Sequence, residues 1–118
     1  NVTLPLVIMG VSRKERIQQG MDMLRVLGME EKAQQKASNL SGGQKQRLCI
    51  GRALISHPEV IFADEPTGNL DTENSANIMR ILLDLQKDRG ITLILVTHDP
   101  DLAKLCDRTI TIKDGLIA

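Results

Sequence analysis

The sequence predicts an α/β fold with a parallel sheet, preceded by a helical segment. Two apolar runs, Val60 to Ala63 and Ile91 to Thr97, flank a stretch of helical length. Strand, helix, strand in that order is a right-handed crossover, which joins parallel strands. The first run is continuously apolar and ends in charge, as a strand covered on both faces should. The residues before Leu40 read as helical instead.

Each element has its own local signals. Ser12-Arg13-Lys14-Glu15 matches a capping box, in which Ser and Glu side chains satisfy free N–H groups at a helix start. Ile17, Met21, Leu24 and Leu27 recur at helical spacing, and Gly28 supplies the stop. A short polar helix is expected from Glu30 to Ala37. Ser41-Gly42-Gly43-Gln44 opens a third helix, running to about Ser56, where His57-Pro58 breaks it. A loop rich in Pro, Thr, Gly, Asn and Asp leads to a helix from Thr72 to Arg89. Lys87 and Arg89 complement its dipole, and Gly90 ends it. A short helix from Pro100 to about Cys106 is expected next. Thr109 to Ile112 alternates like a half-exposed strand, and Asp114-Gly115 marks a hairpin turn into Leu116-Ile117. The change of character near Leu40 marks a subdomain boundary, not a linker. We divide one domain into a helical part, residues 1–56, and an α/β part, residues 57–118.

Composition narrows the function classes. Hydrophobic residues make up 42% and charged residues 25%, as in ordinary globular proteins. Lys plus Arg equals Asp plus Glu at 15 each, so no cationic field points to nucleic acid. Phe62 is the sole aromatic residue, which excludes base stacking as a mechanism. Cys49 and Cys106 fall in predicted helices without metal-ligand spacing, and read as small buried hydrophobes in a reducing compartment. No apolar run approaches the ~20 residues of a membrane span. Any service to a membrane would therefore come through docking on another subunit. The opening Asn1-Val2-Thr3 reads as the middle of a domain, and we expect a longer protein upstream.

Three places carry candidate chemistry. Asp64-Glu65 directly follows an apolar strand, and open parallel sheets gather ligands at the C-terminal ends of their strands. An Asp there suits Mg²⁺ on a bound nucleotide, and a Glu beyond it suits orienting or deprotonating a water. The plain alternative is a solvated loop start. Ser41 to Gln44 reads either as a simple capping box or as an anion site. A helix N-terminus offers free N–H groups, and glycines let a phosphate come close. Two glycines in a first turn cost roughly 1 kcal/mol each relative to Ala, which favours the anion reading. His98 follows the second strand at the same expected edge, within reach of a terminal phosphate. Taken alone it would be structural, as His57 before Pro58 is.

Together these elements resemble one family. LSGGQKQR (Leu40 to Arg47), VIFADEP (Val60 to Pro66), GNLD (Gly68 to Asp71) and VTHD (Val96 to Asp99) follow the order of ATP-binding-cassette (ABC) ATPase domains. They look like that family's signature motif, Walker B motif, D-loop and switch-histidine loop. One such match can arise by chance, but four in order on the appropriate elements do not. The resemblance implies a P-loop NTPase-like sheet with a helical subdomain, ATP and Mg²⁺ as ligands, and hydrolysis as the reaction. It implies that Ser41, Gly42, Gly43 and Gln44 meet the γ-phosphate of an ATP held by an opposite subunit. Asp64 would help coordinate Mg²⁺, mainly through water. Glu65 would be the catalytic base, His98 the γ-phosphate sensor and Asp71 a link across the dimer.

One departure matters. No G-x-x-x-x-G-K-[ST] occurs in the chain, and the family's glutamine loop is also missing. The Walker A half is therefore absent, and we expect the chain alone not to hydrolyse ATP. Cys49 and Gly51 stand where the family often has alanine or another small residue, without consequence for chemistry. ADEPTGNLDT (Ala63 to Thr72) with NVTLPL (Asn1 to Leu6) looks most like the export branch that releases lipoproteins and exports macrolides or antimicrobial peptides. This implies a head-to-tail ATPase dimer, a transmembrane permease partner and a cytoplasmic, peripheral location. Two other readings are a soluble ABC ATPase outside transport and a non-catalytic interaction fragment.

Overall fold

The computed structural model describes residues 1–68 and 70–118, so Asn69 of the GNLD motif lies outside the described residues. Among the described residues, five α-helices and four short strands form in the order α1 (Leu4–Ile8), α2 (Arg13–Val26), α3 (Gly42–Leu54), β1 (Val60–Asp64), α4 (Thr72–Arg89), β2 (Thr92–Val96), α5 (Pro100–Ala103), β3 (Ile112–Lys113) and β4 (Leu116–Ile117). β1 and β2 pair in parallel, with Val60 opposite Thr92 and Asp64 opposite Val96. β3 and β4 form a separate antiparallel hairpin. The α/β class and the crossover through α4 follow the sequence expectation.

Caps fix the helix ends. Ser41 Oγ accepts from Gln44 N–H at α3 while Gln44 Oε1 accepts from Ser41 N–H, the reciprocal box. At α2 the box is only half made: Ser12 Oγ accepts from Glu15 N–H, but its own hydroxyl donates to Glu15 Oε2. Asp71 caps α4, and Gly90 ends it in the left-handed region at φ 63°. His57 takes the same left-handed turn after α3, at φ 53°, with its N–H donating to Leu54 O. Its role is thus to end a helix before Pro58.

One buried cluster holds these pieces together. Leu54 and Ile55, at the end of α3, pack with Ile78, Met79, Leu82 and Leu85 of α4 and with Met23, Leu24 and Leu27 around α2. Burial of each such side chain contributes roughly 1.5–3 kcal/mol. Close approach of α2 and α3 requires Gly51. A Cβ there would lie 2.5 Å from Leu27 Cδ1 and 3.1 Å from Met23 Cγ.

Several expectations are corrected. The core face of α2 is Gly20, Met23 and Leu24, and Ile17 is exposed, because contact with α3 sits at the helix's C-terminal end. The segment Glu30 to Ala37 is not one helix but two 3₁₀ turns, Glu30–Lys32 and Ala37–Asn39, separated by an extended Lys36. Its polar residues offer no stripe to bury. α1 falls within the segment read as helical; it is five residues long and anchored by buried Leu6. α5 stops at Ala103, and Thr109 to Thr111 lies outside the hairpin strand, whose residues are all exposed. Cys49 is exposed, and Cys106 is half-buried in a bend beyond α5, donating its thiol to Leu102 O. In this chain β1 is covered on one face. Ile61 and Ala63 turn toward the helices with Leu93 of β2, while Phe62 on the other face is 74% exposed. The sheet has two strands here, and the helices pack one side of it.

Candidate functional site

The parallel pairing of β1 and β2 brings their C-terminal ends to one edge, and with them Asp64, Glu65 and His98. Glu65 lies one residue past β1, its N–H donating to Val96 O at 2.9 Å. His98 lies two residues past β2. Its ring Nδ1 is 2.7 Å from Glu65 Oε1, and its backbone N–H donates to the same oxygen at 3.0 Å. The imidazole side chain is otherwise 87% exposed, against 38% for Glu65.

The two groups tune each other. The His98 hydrogen bond holds the Glu65 carboxyl below its usual range, and the Glu65 carboxylate raises the His98 imidazole above its usual value. With Nδ1–H directed at Glu65, Nε2 is left facing away, and among the described residues it has no hydrogen-bond partner. Protonation there gives a donor suited to an anionic oxygen. Glu65 also adopts φ 43°, a conformation that non-glycine residues rarely take and that neighbours must impose.

Asp64 is exposed at the end of β1 beside a groove of about 210 Å³ lined by Gln46, Cys49, Phe62 and Pro66. Among the described residues no group of three metal-ligating side chains exists. One exposed carboxylate fits Mg²⁺ in the mode where the ion keeps waters and takes its other ligands from phosphates. It does not fit an all-protein metal cage.

The second set of residues sits at the start of α3. The two glycines differ in their surroundings. A Cβ on Gly43 would lie 2.7 Å from Asn74 Oδ1 and 3.1 Å from its Cγ, so a side chain here would have to displace Asn74 of α4. A Cβ on Gly42 would meet only Leu70 Cδ2 at 3.8 Å, so nothing internal demands it. Asn74 also donates, by backbone to Asp71 Oδ1 at 2.9 Å and by side chain to Asp71 Oδ2 at 2.7 Å. These bonds hold the Asp71 carboxyl below its usual range, the backbone N–H first. Asp71 and the α3 start are therefore neighbours through Asn74.

The sequence-predicted residues thus fall into two groups: Asp64, Glu65 and His98 at the sheet edge, and Ser41 to Gln44 with Asp71 at the helix starts. Among the described residues no hydrogen bond joins a member of one to a member of the other. Sequence reasoning missed Asn74, whose position three residues after Asp71 was a readable cap signal, and gave no role to Gln46, although it lies within LSGGQKQR.

This fold is that of a P-loop NTPase-like α/β fragment. The family model described as ABC transporter matches residues 3–68, and the chain belongs to that family. It is 47% identical over 117 residues to the lipoprotein-releasing system ATP-binding protein LolD of Bacteroides thetaiotaomicron, covering 99% of this chain and 54% of that protein. It is also 47% identical to the macrolide export ATP-binding/permease protein MacB of Chlorobaculum tepidum, covering 99% of this chain and 18% of that protein. Among solved structures, the dimeric bacterial ABC transporter cassette MJ0796 superposes with a TM-score of 0.82 at 40% identity, covering 98% of this chain and 52% of that one. The same cassette is known as a dimer in a post-hydrolysis state bound to ADP and Pi. The chain spans about half the length of LolD and of MJ0796.

Proposed function

We propose that this chain is the hydrolytic and cross-dimer half of an ABC-type ATPase of the export branch, with residues 1–56 as its helical subdomain and 57–118 as its α/β part. The observation that carries the reading is the 2.7 Å contact between Glu65 and His98 at the C-terminal edge of two parallel strands. Glu65 is the base that takes a proton from the attacking water. His98 is oriented by Glu65 and directs its free Nε2 toward the γ-phosphate, where a charged donor stabilises the transferring group. Asp64 holds Mg²⁺, mainly through water, and the ion when bound neutralises charge on the phosphates.

Ser41, Gly42, Gly43 and Gln44 present the N-terminus of α3 to the ATP of a second copy. The open space at Gly42 supports this, since no internal contact demands a glycine there. Asp71 lies beside that helix start and links the two copies. The partners are then a second ATPase subunit in head-to-tail arrangement and a transmembrane permease, with no role for nucleic acid. No helix among the described residues is long and apolar enough to cross a membrane, which fits attachment to the cytoplasmic face through that permease. Export is favoured over a soluble role by the similarity to LolD and MacB.

The test is ATP turnover by the complete cassette carrying this chain. Glu65→Gln is expected to cut turnover about 100-fold or more while ATP still binds and locks a stable dimer. Near-normal phosphate release by that variant would remove Glu65 from the reaction. The chain alone, without G-x-x-x-x-G-K-[ST], is expected to show no turnover.

A further inference from the structure

Gln46 of α3 lies one turn beyond the helix start and is half-buried. Its Nε2 donates to Pro66 O at 2.8 Å, across 20 residues of chain. That carbonyl belongs to the residue directly after Glu65, the one residue of the sheet edge held in the left-handed region. Other constraints on this turn are local or come from the sheet. Glu65 N–H is held by Val96 O at 2.9 Å, Glu65 O accepts from Gly68 N–H at 3.1 Å, and Pro66 is buried with its own φ fixed by the ring. Among the described residues, Gln46 supplies the only hydrogen bond from α3 to this loop.

We propose that Gln46 is a positioning residue for Glu65: it anchors the Pro66 carbonyl and so fixes the backbone turn that aims the carboxylate at His98. The inference rests on the reading of Glu65 as the base. It also ties the two groups of site residues together. α3 begins at the glycines offered to a second copy, and one turn later it grips the loop bearing the base. The setting of Glu65 is thereby linked to the helix whose end meets the partner's nucleotide. A misplaced general base loses rate without losing substrate affinity, which gives the role a signature.

The experiment compares Gln46→Met, Gln46→Glu and Gln46→Lys in the complete cassette, with Glu65→Gln alongside. Met keeps the length and Glu the shape, but neither can donate at neutral pH; Lys can. The expected result is a fall in kcat of about tenfold for Met and Glu with KM for ATP within about twofold, largely restored by Lys. Hydrogen exchange at the Glu65 amide should quicken about tenfold in the Met variant, with the amides of α4 unchanged. Unchanged kcat beside an inactive Glu65→Gln enzyme would overturn the role of Gln46 and leave the base intact. A loss of kcat shared equally by Lys, or exchange quickened throughout α3 and α4, would also overturn it, since either marks a merely structural residue. Normal turnover by Glu65→Gln would instead overturn the base, and the exchange at Glu65 would still report whether Gln46 holds the turn.

Discussion

The sheet edge and the start of α3 are built on opposite principles. At the sheet edge, Glu65 carries an unfavourable φ and pairs with an imidazole that is almost wholly in solvent. Removing such a pair costs the fold little, so its geometry is hard to explain by stability. At the start of α3, Ser41 and Gln44 satisfy each other, Gly43 is packed on Asn74, and Asn74 is locked to Asp71. There the local structure explains most of what is seen. Only Gly42 lacks an internal reason. The contrast teaches that a helix start can be fully capped and still present one free approach.

That contrast can be broken in several ways. The largest effect is expected from His98→Ala, which should lower turnover of the complete cassette by about 100-fold while leaving thermal unfolding unchanged. A matching loss of stability would mean that the sheet-edge pair is structural. Next comes Gly43→Ala, where the new methyl must displace Asn74. It should destabilise by about 1–3 kcal/mol, and Asn74→Ala should relieve most of that in a double-mutant cycle. Additive losses would show that the close approach is not what demands the glycine. Gly42→Ala should by contrast leave denaturant unfolding unchanged, or gain a few tenths of a kcal/mol in helix propensity, yet weaken ATP-driven dimer formation.

The smallest effect concerns Asp71. Its folded pKa is depressed below the ordinary 3.8 by the Asn74 bonds. The contribution to stability is therefore present above pH 3.8 and lost as pH falls through the depressed value. Asp71→Ala should lower the melting temperature by a few degrees at pH 7, and the gap from wild type should close in stronger acid. A gap that does not narrow at all as pH falls below 3.8 would mean that the carboxylate does not cap α4.

Much of this was legible in the residues, for reasons that differ by element. The C-terminal end of α4 was read from Lys87, Arg89 and Gly90, local signals that act where they stand, whereas the Asp71 cap at its start appears only in the structure. The strands and their parallel pairing followed from two apolar runs and the helix between them. Glu65, Asp64 and His98 could be placed at one edge because parallel strands end together. The failures were non-local. Ile17 sits on the helical stripe but not on the buried face, because contact with α3 is decided where Gly51 lets Leu27 close in. Nothing in the sequence distinguishes Gly42 from Gly43, since the difference lies in Asn74, 31 residues beyond Gly43 and on another helix. The contact of Gln46 was unreadable for the same reason: its partner is a backbone carbonyl, which has no sequence identity.

The central claim is that Glu65 and Gly42 act on one phosphate but are supplied by different copies. Mixing two complete cassettes tests it directly, one carrying Glu65→Gln and the other Gly42→Asp. Each pure variant should be nearly inactive, and an equal mixture should recover up to about a quarter of wild-type turnover, because half the dimers are mixed and each holds one intact site. A mixture no more active than its components would contradict the claim and return both residues to a single copy.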